Sequence, residues 1–355
     1  MSVFYPIPML PHGTVSLASD LYNLHATAKA LPGEKDLNFR LTTTDGEYLL
    51  KIANPAEPRE NLELQIAALE HVLSQLPIAN VQRVIRSTSG QAITAIQTPD
   101  GERLAHLLTF IPGKLWAHCN PHTPEMLRNL GRALGTLDGA LSTFSHPAAK
   151  RHLKWDLARA EWIRDYVHLI TDPARRALVE KYLRIYSSIH PQLSSLRHQV
   201  IYNDANDYNI VVVAQMEGDG APSPVPTGEG ADGIAHRRGG GLSIALIDFG
   251  DILHSNLICD LAIACAYAML DKADPLSAAC EVVAGFHETY PLQEAELEVL
   301  FPLIAMRLSV SVTNSAWQSH SEPNNTYLQI SARPAWALLE KLEAIHPNLA
   351  RYRFR

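Results

Sequence analysis

Two polar segments of the sequence each follow a short apolar run and contain residue types suited to phosphate chemistry. In the first, Val200–Tyr202 leads into a polar turn with Asp204 and, five positions on, Asn209. In the second, an apolar run ends directly at Asp248, within Ile-Asp-Phe-Gly-Asp. A carboxylate can accept a proton, and Mg²⁺ takes hard oxygen ligands that it shares with substrate phosphates. The two segments together predict a magnesium–nucleotide site, although each one alone is more often an ordinary polar turn.

Both segments resemble the catalytic and metal-binding segments of protein-kinase-like phosphotransferases, in which they occur in the same order. Under this resemblance Lys51, in the apolar run Tyr48–Ile52, would contact the α- and β-phosphates of a nucleotide. Glu63, on the helix that follows, is the preferred carboxylate partner of this lysine, and Glu60 is the alternative. A lysine on the solvated face of a strand is the competing interpretation of Lys51. Gly33–Leu41 occupies the position of a phosphate-covering loop, although with one glycine it also fits a simple turn.

Hydrophobic periodicity indicates which elements position these residues in the first third of the chain. Asn38–Thr44 and Glu47–Ile52 flank an Asp-Gly turn, which predicts a β-hairpin. Apolar residues at helical spacing predict one helix over 61–76 and another over 15–30. Three further β-prone runs are expected to complete an antiparallel sheet: Val81–Arg86, Ala92–Gln97 and Leu104–Ile111.

The remainder of the chain is predicted to be mainly helical. Thr123–Glu125 combines a capping hydroxyl, a proline at the first helical position and an acid in the first turn, and Asp172–Pro173 repeats this start signal. These patterns predict an α+β fold with a small antiparallel β-rich lobe at residues 1–111 and a larger, mainly helical lobe at residues 112–355. The resemblance to protein-kinase-like phosphotransferases implies a protein-kinase-like two-lobed fold, in which the first lobe binds nucleotide and the second is the catalytic and substrate lobe. Residues 215–241, crowded with Gly and Pro, are expected to be a flexible insertion between two strands.

Composition and charge exclude several classes of protein. The chain has 355 residues, is 46% hydrophobic and 19% charged, and can therefore bury the cores of about two domains. Its formal net charge of −7 argues against a general nucleic-acid or anionic-membrane binder. Four cysteines without CxxC spacing argue against a disulfide framework or a zinc knuckle. No apolar stretch reaches the length of a membrane span, so we expect a cytoplasmic protein that binds neither membranes nor nucleic acid.

Further motifs narrow the resemblance to one family. The chain is similar to the aminoglycoside phosphotransferase/choline kinase superfamily, in a branch close to hydroxylysine kinase, over about residues 15–345. The stretches that carry this similarity are Leu31–Leu41, Leu49–Ile52, 62–71, Phe110–Gly113, Trp155–Asp156, Asn203–Asn209 and Ile247–Asp251.

This resemblance implies ATP and Mg²⁺ as cofactors. It implies that Asp204 is the catalytic base and that Asn209 and Asp248 are magnesium ligands, while Phe110 and Ile111 lie in the hinge whose backbone faces the adenine.

The resemblance also implies a supporting role for Asp260, which braces the catalytic loop without touching substrate. The histidine that the family usually places two residues before the base is Tyr202 here. That histidine mostly holds the loop in shape, so the exchange removes no phosphate-transfer group.

The acceptor implied by the resemblance is a hydroxylated amino acid or an amino alcohol. An ammonium group needs a carboxylate or an aromatic face once it is desolvated, and Asp207, Asp251, Trp155 and Trp317 are candidates for this role. Homoserine, ethanolamine, choline and an aminoglycoside remain alternative acceptors. The alternative function is a nucleotide-binding pseudokinase or regulatory module without transfer activity, which Tyr202 and the missing glycine-rich loop favour slightly.

Overall fold

The computed structural model describes residues 11–33, 36–76, 80–98, 101–214, 242–321 and 332–355. The predicted insertion at 215–241 lies outside the described residues. The chain divides into two compact units. Among the described residues, the first comprises the chain up to Gly113 together with Val213, Ala214 and Leu242, and the second comprises Lys114–Val212 and Ser243–Arg355.

The first unit is built on an antiparallel sheet, as predicted. Its strands are β1 (Thr27–Leu31), β2 (Leu37–Thr42), β3 (Glu47–Ile52), β4 (Val84–Ile85), β5 (Thr94–Thr98) and β6 (Gly101–Thr109), with helices α1 (Pro11–Tyr22) and α2 (Arg59–Gln75). The strand order is β1-β2-β3-β6-β4, and β5 also pairs with β6. The sheet buries an apolar face against α1, with Leu41, Leu50 and Leu107 fully buried.

The helix predicted over residues 15–30 is shorter than expected. Helix α1 ends at Tyr22, and Asn23 then adopts a left-handed backbone conformation with φ 54°. Asn is one of the few residues that enter this region readily, and a left-handed residue commonly ends a helix. The chain then turns into β1, which pairs with β2 from Thr27 to Leu31.

The second unit is mainly helical, with short strands between the helices. Its helices are α3 (Pro124–Leu141), α4 (Pro173–Leu193), α5 (Leu257–Ala268), α6 (Pro275–Thr289), α7 (Glu294–Ser321), α8 (Ala332–Glu343) and α9 (Pro347–Phe354). Its strands are β7 (Lys114–Leu115), β8 (His198–Ile201), β9 (Ile210–Ala214), β10 (Leu242–Leu246) and β11 (Leu253–Asn256). These form one sheet in the order β10-β9-β7 and a separate antiparallel pair of β11 and β8.

Both predicted helix starts in this unit are confirmed. The Thr123 side chain accepts a hydrogen bond from Met126 N at the start of α3. Asp172 accepts hydrogen bonds from the backbone N–H groups of Ala174 and Arg175 at the start of α4. Within the described chain, none of the helices combines the length and apolar character needed to cross a membrane.

Helices α3 and α6 approach each other unusually closely, because glycines lie where they meet. A Cβ atom placed on Gly131 would lie 2.0 Å from Val282 O, and one on Gly285 would lie 1.9 Å from Arg128 O. A Cβ on Gly135 would lie 2.8 Å from Phe286 O, also on α6. Helix α3 also carries a fully buried carboxyl group, that of Asp138.

Candidate active site

Asp204 lies in the turn between β8 and β9, where two amide groups hold its carboxylate. Asn206 Nδ2 donates to Asp204 Oδ1 over 2.9 Å, and Asn209 Nδ2 donates to Asp204 Oδ2 over 2.6 Å. Because Asn209 uses its amide nitrogen in this contact, its amide oxygen is the atom that could bind a cation. The turn therefore presents an oriented carboxylate beside a potential metal ligand.

Asp248 follows β10 and stands beside the same turn. Ile247 N donates to Asn209 O over 3.0 Å, which fixes the end of β10 against the start of β9. Asp248 has φ 61°, and Gly250 N donates to its Oδ1 over 3.1 Å. A left-handed backbone is strained for a residue other than glycine, and such strain is typical of functional positions. The structure thus brings Asp204, Asn209 and Asp248 together, as the sequence predicted.

Asp260 on α5 holds the backbone immediately before Asp204. Its Oδ2 accepts from Tyr202 N over 2.7 Å and its Oδ1 accepts from Asn203 N over 2.9 Å, with all three residues fully buried. Asn203 has φ 66°, so the loop bends sharply at the point that Asp260 holds. The geometry agrees with a bracing role for this carboxylate.

Tyr202 links the turn to the strand that ends near Asp248. Its hydroxyl donates to Ile247 O, and its ring contacts Phe249 with centroids 5.3 Å apart. The side chain is fully buried. Tyr202 therefore holds the shape of this loop with its own hydrogen bond.

Behind Asp260 lies the buried carboxyl of Asp138, which sequence reasoning missed. Burial and the adjacent Asp260 carboxylate raise the pKa of Asp138 well above its usual range. Burial also raises the pKa of Asp260 to about 6, although the Asp138 side chain and two backbone N–H groups lower it in part. Two neighbouring buried carboxyl groups disfavour each other's charged form. The two backbone N–H donors favour the charged form of Asp260.

The pKa of Asp204 is raised well above its usual range. The main cause is burial, and the negative charge of Asp251 is the next largest. The positive charge of Arg307 and the hydrogen bond from Asn206 lower this pKa, and the charge of Asp248 raises it. A carboxylate with a raised pKa is a better proton acceptor, and such shifts are typical of catalytic sites.

The candidate acceptor residues differ in how close they lie to Asp204. Asp251 interacts electrostatically with Asp204, and its backbone oxygen accepts from Asn203 Nδ2 over 3.3 Å. Burial raises the pKa of Asp207, although His118 offsets part of this effect. The backbone oxygen of Asp207 accepts a hydrogen bond from Ala117 N. Asp251 is therefore the better placed of the two acids.

Trp155 stands beside two cationic side chains that sequence reasoning did not select. Arg307 Cζ lies 4.6 Å from the centroid of the Trp155 ring, and Lys154 Nζ lies 5.0 Å from it. Lys154 Nζ is also 5.7 Å from the ring of Trp317. One feature of the sequence could have identified Arg307: it is the single arginine of the apolar run 300–310. The helix buries nearly every side chain of this run.

In the first unit, Lys51 is buried on β3 and pairs with a carboxylate other than the predicted one. Its Nζ lies 3.9 Å from Asp36 Oδ2, and its exposure is 4%. Asp36 Oδ1 also accepts from Asn54 N over 3.0 Å. The predicted partner Glu63 is instead exposed on α2 and binds Arg59 over 2.9 Å. The buried face of α2 is apolar and turns Glu63 toward solvent, and the pairing of Glu63 with Lys51 stays a prediction.

Gly33, in the predicted phosphate-covering loop, is required by close packing. A Cβ at this position would lie 2.4 Å from Asp36 O and 2.5 Å from Asn38 Nδ2. Gly33 therefore packs tightly against Asn38 and against Asp36, the partner of Lys51.

Phe110 and Ile111 follow β6 and are both half-buried. Phe110 N donates to Glu47 O over 3.0 Å, and Arg40 Cζ lies 4.5 Å from the centroid of its ring. The adenine-facing role of this segment stays a prediction.

The oxygen donors beside Asp204 are of the kind that Mg²⁺ takes. Among the described residues there is no group of three or more His, Cys, Asp or Glu side chains that could hold a metal ion. Asp248 and Asn209 offer one carboxylate and one amide oxygen. Mg²⁺ in phosphotransferases commonly takes one or two protein oxygens and completes its shell with phosphates and water.

The sequence and the fold are similar to those of known phosphotransferases. A model of the phosphotransferase enzyme family matches residues 27–220. Hydroxylysine kinase of Mus musculus is 29% identical over 334 residues, covering 88% of this chain and 83% of the mouse protein. Hydroxylysine kinase of Danio rerio is 28% identical over 355 residues, covering 94% of this chain and 92% of the fish protein.

Two solved structures share the kinase-like fold. An amicoumacin kinase in complex with AMP-PNP and Ca²⁺ superposes with a TM-score of 0.65 at 14% identity, covering 95% of this chain and 96% of that one. A microcompartment-associated aminopropanol kinase superposes with a TM-score of 0.62 at 16% identity, covering 94% and 98%.

Proposed function

Because this chain belongs to the phosphotransferase enzyme family and is a phosphotransferase acting on a hydroxyl group, we propose that it is an ATP- and Mg²⁺-dependent kinase of a hydroxylated amino acid. The preferred acceptor is hydroxylysine, which gives its name to relatives similar over most of the chain. An amino alcohol is the alternative, supported by the aminopropanol kinase with a similar fold.

The observation that carries the proposal is the cluster of Asp204, Asn209 and Asp248. Three side chains from two separate segments meet at the ends of neighbouring strands, and backbone and side-chain hydrogen bonds hold their positions. Phosphoryl transfer requires positioning and charge neutralisation more than covalent catalysis, and this arrangement provides both.

The reaction follows from the role of each side chain. Asp204 accepts the proton of the acceptor hydroxyl as its oxygen bonds to the γ-phosphorus of ATP, and ADP leaves with the electrons of the broken P–O bond. Asn206 and Asn209 hold the Asp204 carboxylate in one orientation. Asp248 and the Asn209 oxygen would hold Mg²⁺, which neutralises charge on the nucleotide phosphates.

We assign nucleotide binding to the first unit, around Lys51. Its ammonium would neutralise the α- and β-phosphates, Asp36 would orient it, and Phe110 and Ile111 would contact the adenine. The relatives support nucleotide use, since one was solved with AMP-PNP. Of Lys51, Asp36, Phe110 and Ile111, we propose a charge interaction with phosphate for Lys51 alone.

The pseudokinase alternative predicts nucleotide binding without turnover. It drew support from Tyr202, but Tyr202 holds the loop through Ile247 O, and Asp204 keeps both of its amide partners. The geometry therefore favours an active enzyme.

The test is ADP release with ATP, Mg²⁺ and a panel of hydroxylated amines that includes hydroxylysine. Asp204→Asn is expected to lower kcat by roughly 10²–10⁴ while a thermal-shift titration still detects ATP binding. Asp172→Asn, which removes an exposed carboxylate from the cap of α4, is the matched control and is expected to keep full activity. Undiminished turnover of the Asp204 variant would reject the proposed base. ATP binding without turnover of any acceptor would establish the pseudokinase instead.

A further inference from the structure

Arg307 of α7 is a buried cation whose hydrogen-bonding capacity is mostly unused. The residue is 3% exposed. Its Nη2 donates to Tyr267 Oη over 3.1 Å, but Nε and Nη1 are buried without a hydrogen-bond partner among the described residues. A buried donor left unpaired is destabilising, and a charged donor more so. Such a group in a native protein indicates a missing partner.

Two aromatic rings hold this guanidinium in place. Its Cζ lies 4.6 Å from the centroid of Trp155 and 5.5 Å from that of Tyr267. Contacts with ring faces orient a guanidinium and favour its charge, but they do not replace N–H···O hydrogen bonds. Arg307 is thus positioned in advance for a planar acceptor of two hydrogen bonds, and a carboxylate has this geometry.

Arg307 belongs to the same electrostatic cluster as the proposed base. Its positive charge acts on Asp204 and on Tyr267, and Tyr267 also interacts with Asp204. Asp251 acts on Asp204 from within the same cluster. The site therefore presents one guanidinium and several carboxylates to an acceptor, which suits a zwitterion better than a simple amine.

A second cation lies at the same tryptophan ring. Lys154 Nζ is 5.0 Å from the centroid of Trp155, and it donates to Asn314 Oδ1 over 3.1 Å. Asn314 lies on α7 seven positions after Arg307, two turns along the same helix. One helix therefore supplies Arg307 and orients Lys154.

We propose that Arg307, assisted by Lys154, binds the carboxylate of the acceptor, so that the enzyme selects hydroxylated amino acids over amines that lack a carboxylate. This inference rests on the proposed kinase function and specifies its acceptor. The competing role for Arg307 is charge balance for Asp204 and Asp251, with no contact to substrate. The two roles differ because a carboxylate contact depends on the acceptor, whereas charge balance affects every acceptor equally.

The experiment compares three acceptors that share the reacting hydroxyl: hydroxylysine, its carboxamide, and 1,5-diaminopentan-2-ol, which lacks the carboxyl group. For the wild-type enzyme, kcat/KM for hydroxylysine is expected to exceed that for the other two roughly 10- to 100-fold, as for a lost hydrogen bond to a charged group. In Arg307→Met this preference is expected to fall to about one, through loss on hydroxylysine alone. Arg307→Lys is expected to restore part of it.

The matched control is Arg175→Met, because Arg175 also lies over a tryptophan, with Cζ 5.0 Å from the Trp336 ring, but at the surface. It is expected to keep the wild-type preference. Equal losses on all three acceptors in Arg307→Met would overturn the inference in favour of charge balance and leave the kinase function intact. A wild-type preference near one, or turnover restricted to amino alcohols, would also overturn it without requiring a folded variant. No turnover of any acceptor would refute the proposed function and this inference with it.

Discussion

Asp260 provides a direct test of how the catalytic loop is held. The substitution Asp260→Asn keeps the size of the side chain but leaves one acceptor oxygen for two buried N–H groups, those of Tyr202 and Asn203, now bound over 2.7 and 2.9 Å. One N–H then faces an NH₂ group. An unpaired buried donor costs about 1–3 kcal/mol, and loss of the charge weakens the surviving bond by about 1 kcal/mol. The expected decrease in the free energy of unfolding is about 2–4 kcal/mol.

The assay has a thermal and a kinetic readout. In a domain of this size, 1 kcal/mol lowers Tm by roughly 2–4 °C, so differential scanning calorimetry should show a decrease of roughly 4–16 °C. Because Tyr202 and Asn203 directly precede Asp204, displacement of the loop by about 1 Å is expected to lower kcat roughly 10²-fold. Neither the decrease in Tm nor the decrease in kcat requires that both hydrogen bonds to residue 260 break.

The control is Asp172→Asn, because Asp172 also accepts two backbone hydrogen bonds but is exposed at a helix start. Asn caps helices about as well as Asp, so its Tm is expected to change little. If Asp260→Asn had the same Tm as the wild type, the bracing role would be refuted. If its Tm fell but kcat were unchanged, the link between this brace and Asp204 would be refuted.

Two further substitutions test other contacts. Because the pKa values of Asp138 and Asp260 are raised, the folded state binds protons more tightly than the unfolded state. The stability that this pair contributes is therefore full below about pH 4, near the pKa of an unperturbed Asp. It is lost as the pH rises through the two raised pKa values, of which that of Asp260 is about 6. The difference in Tm between Asp138→Asn and the wild type should therefore shift in favour of the variant between about pH 5 and pH 8, and a constant difference would contradict the raised pKa values of the pair. Asp36→Asn is expected to raise the KM for ATP about fivefold, as for loss of about 1 kcal/mol at Lys51, whereas Glu63→Gln, at an exposed pair, should change it less than twofold. Equal effects of these two variants would show that Glu63 reaches Lys51 in the working enzyme.

The sequence was sufficient where local chemistry decides the structure. The Asp-Gly turn predicted a hairpin, and β2 pairs with β3 from Thr42 opposite Glu47 to Leu37 opposite Ile52. The capping hydroxyl of Thr123 predicted the start of α3. The order of the two polar segments predicted that Asp204 and Asp248 meet, because each follows a strand.

The sequence was insufficient where a contact depends on register or on the face of a helix. In the observed register Lys51 is opposite Asn38, and Asp36, which pairs with Lys51, lies in the bend just before β2. No local pattern specifies that pairing. Glu63 was selected for its place in a periodic helix, but periodicity alone does not tell which neighbour a polar residue meets. Arg307 and Asp138 were missed because each lies in an apolar helical run. Hydrophobic periodicity indicates that such a position is buried, but it does not indicate which residue the side chain contacts.

The close approach of α3 and α6 has a consequence for how this scaffold can vary. There is no room for a methyl group at Gly131 or Gly285, and Asp138 lies on the same helix as Gly131. A larger side chain at either glycine would wedge the helices apart and shift Asp138, the carboxyl group that acts on Asp260. The alignment of the catalytic loop therefore limits which residues can replace these two glycines, although neither glycine belongs to that loop. Exposed positions elsewhere on the same helices are free to vary.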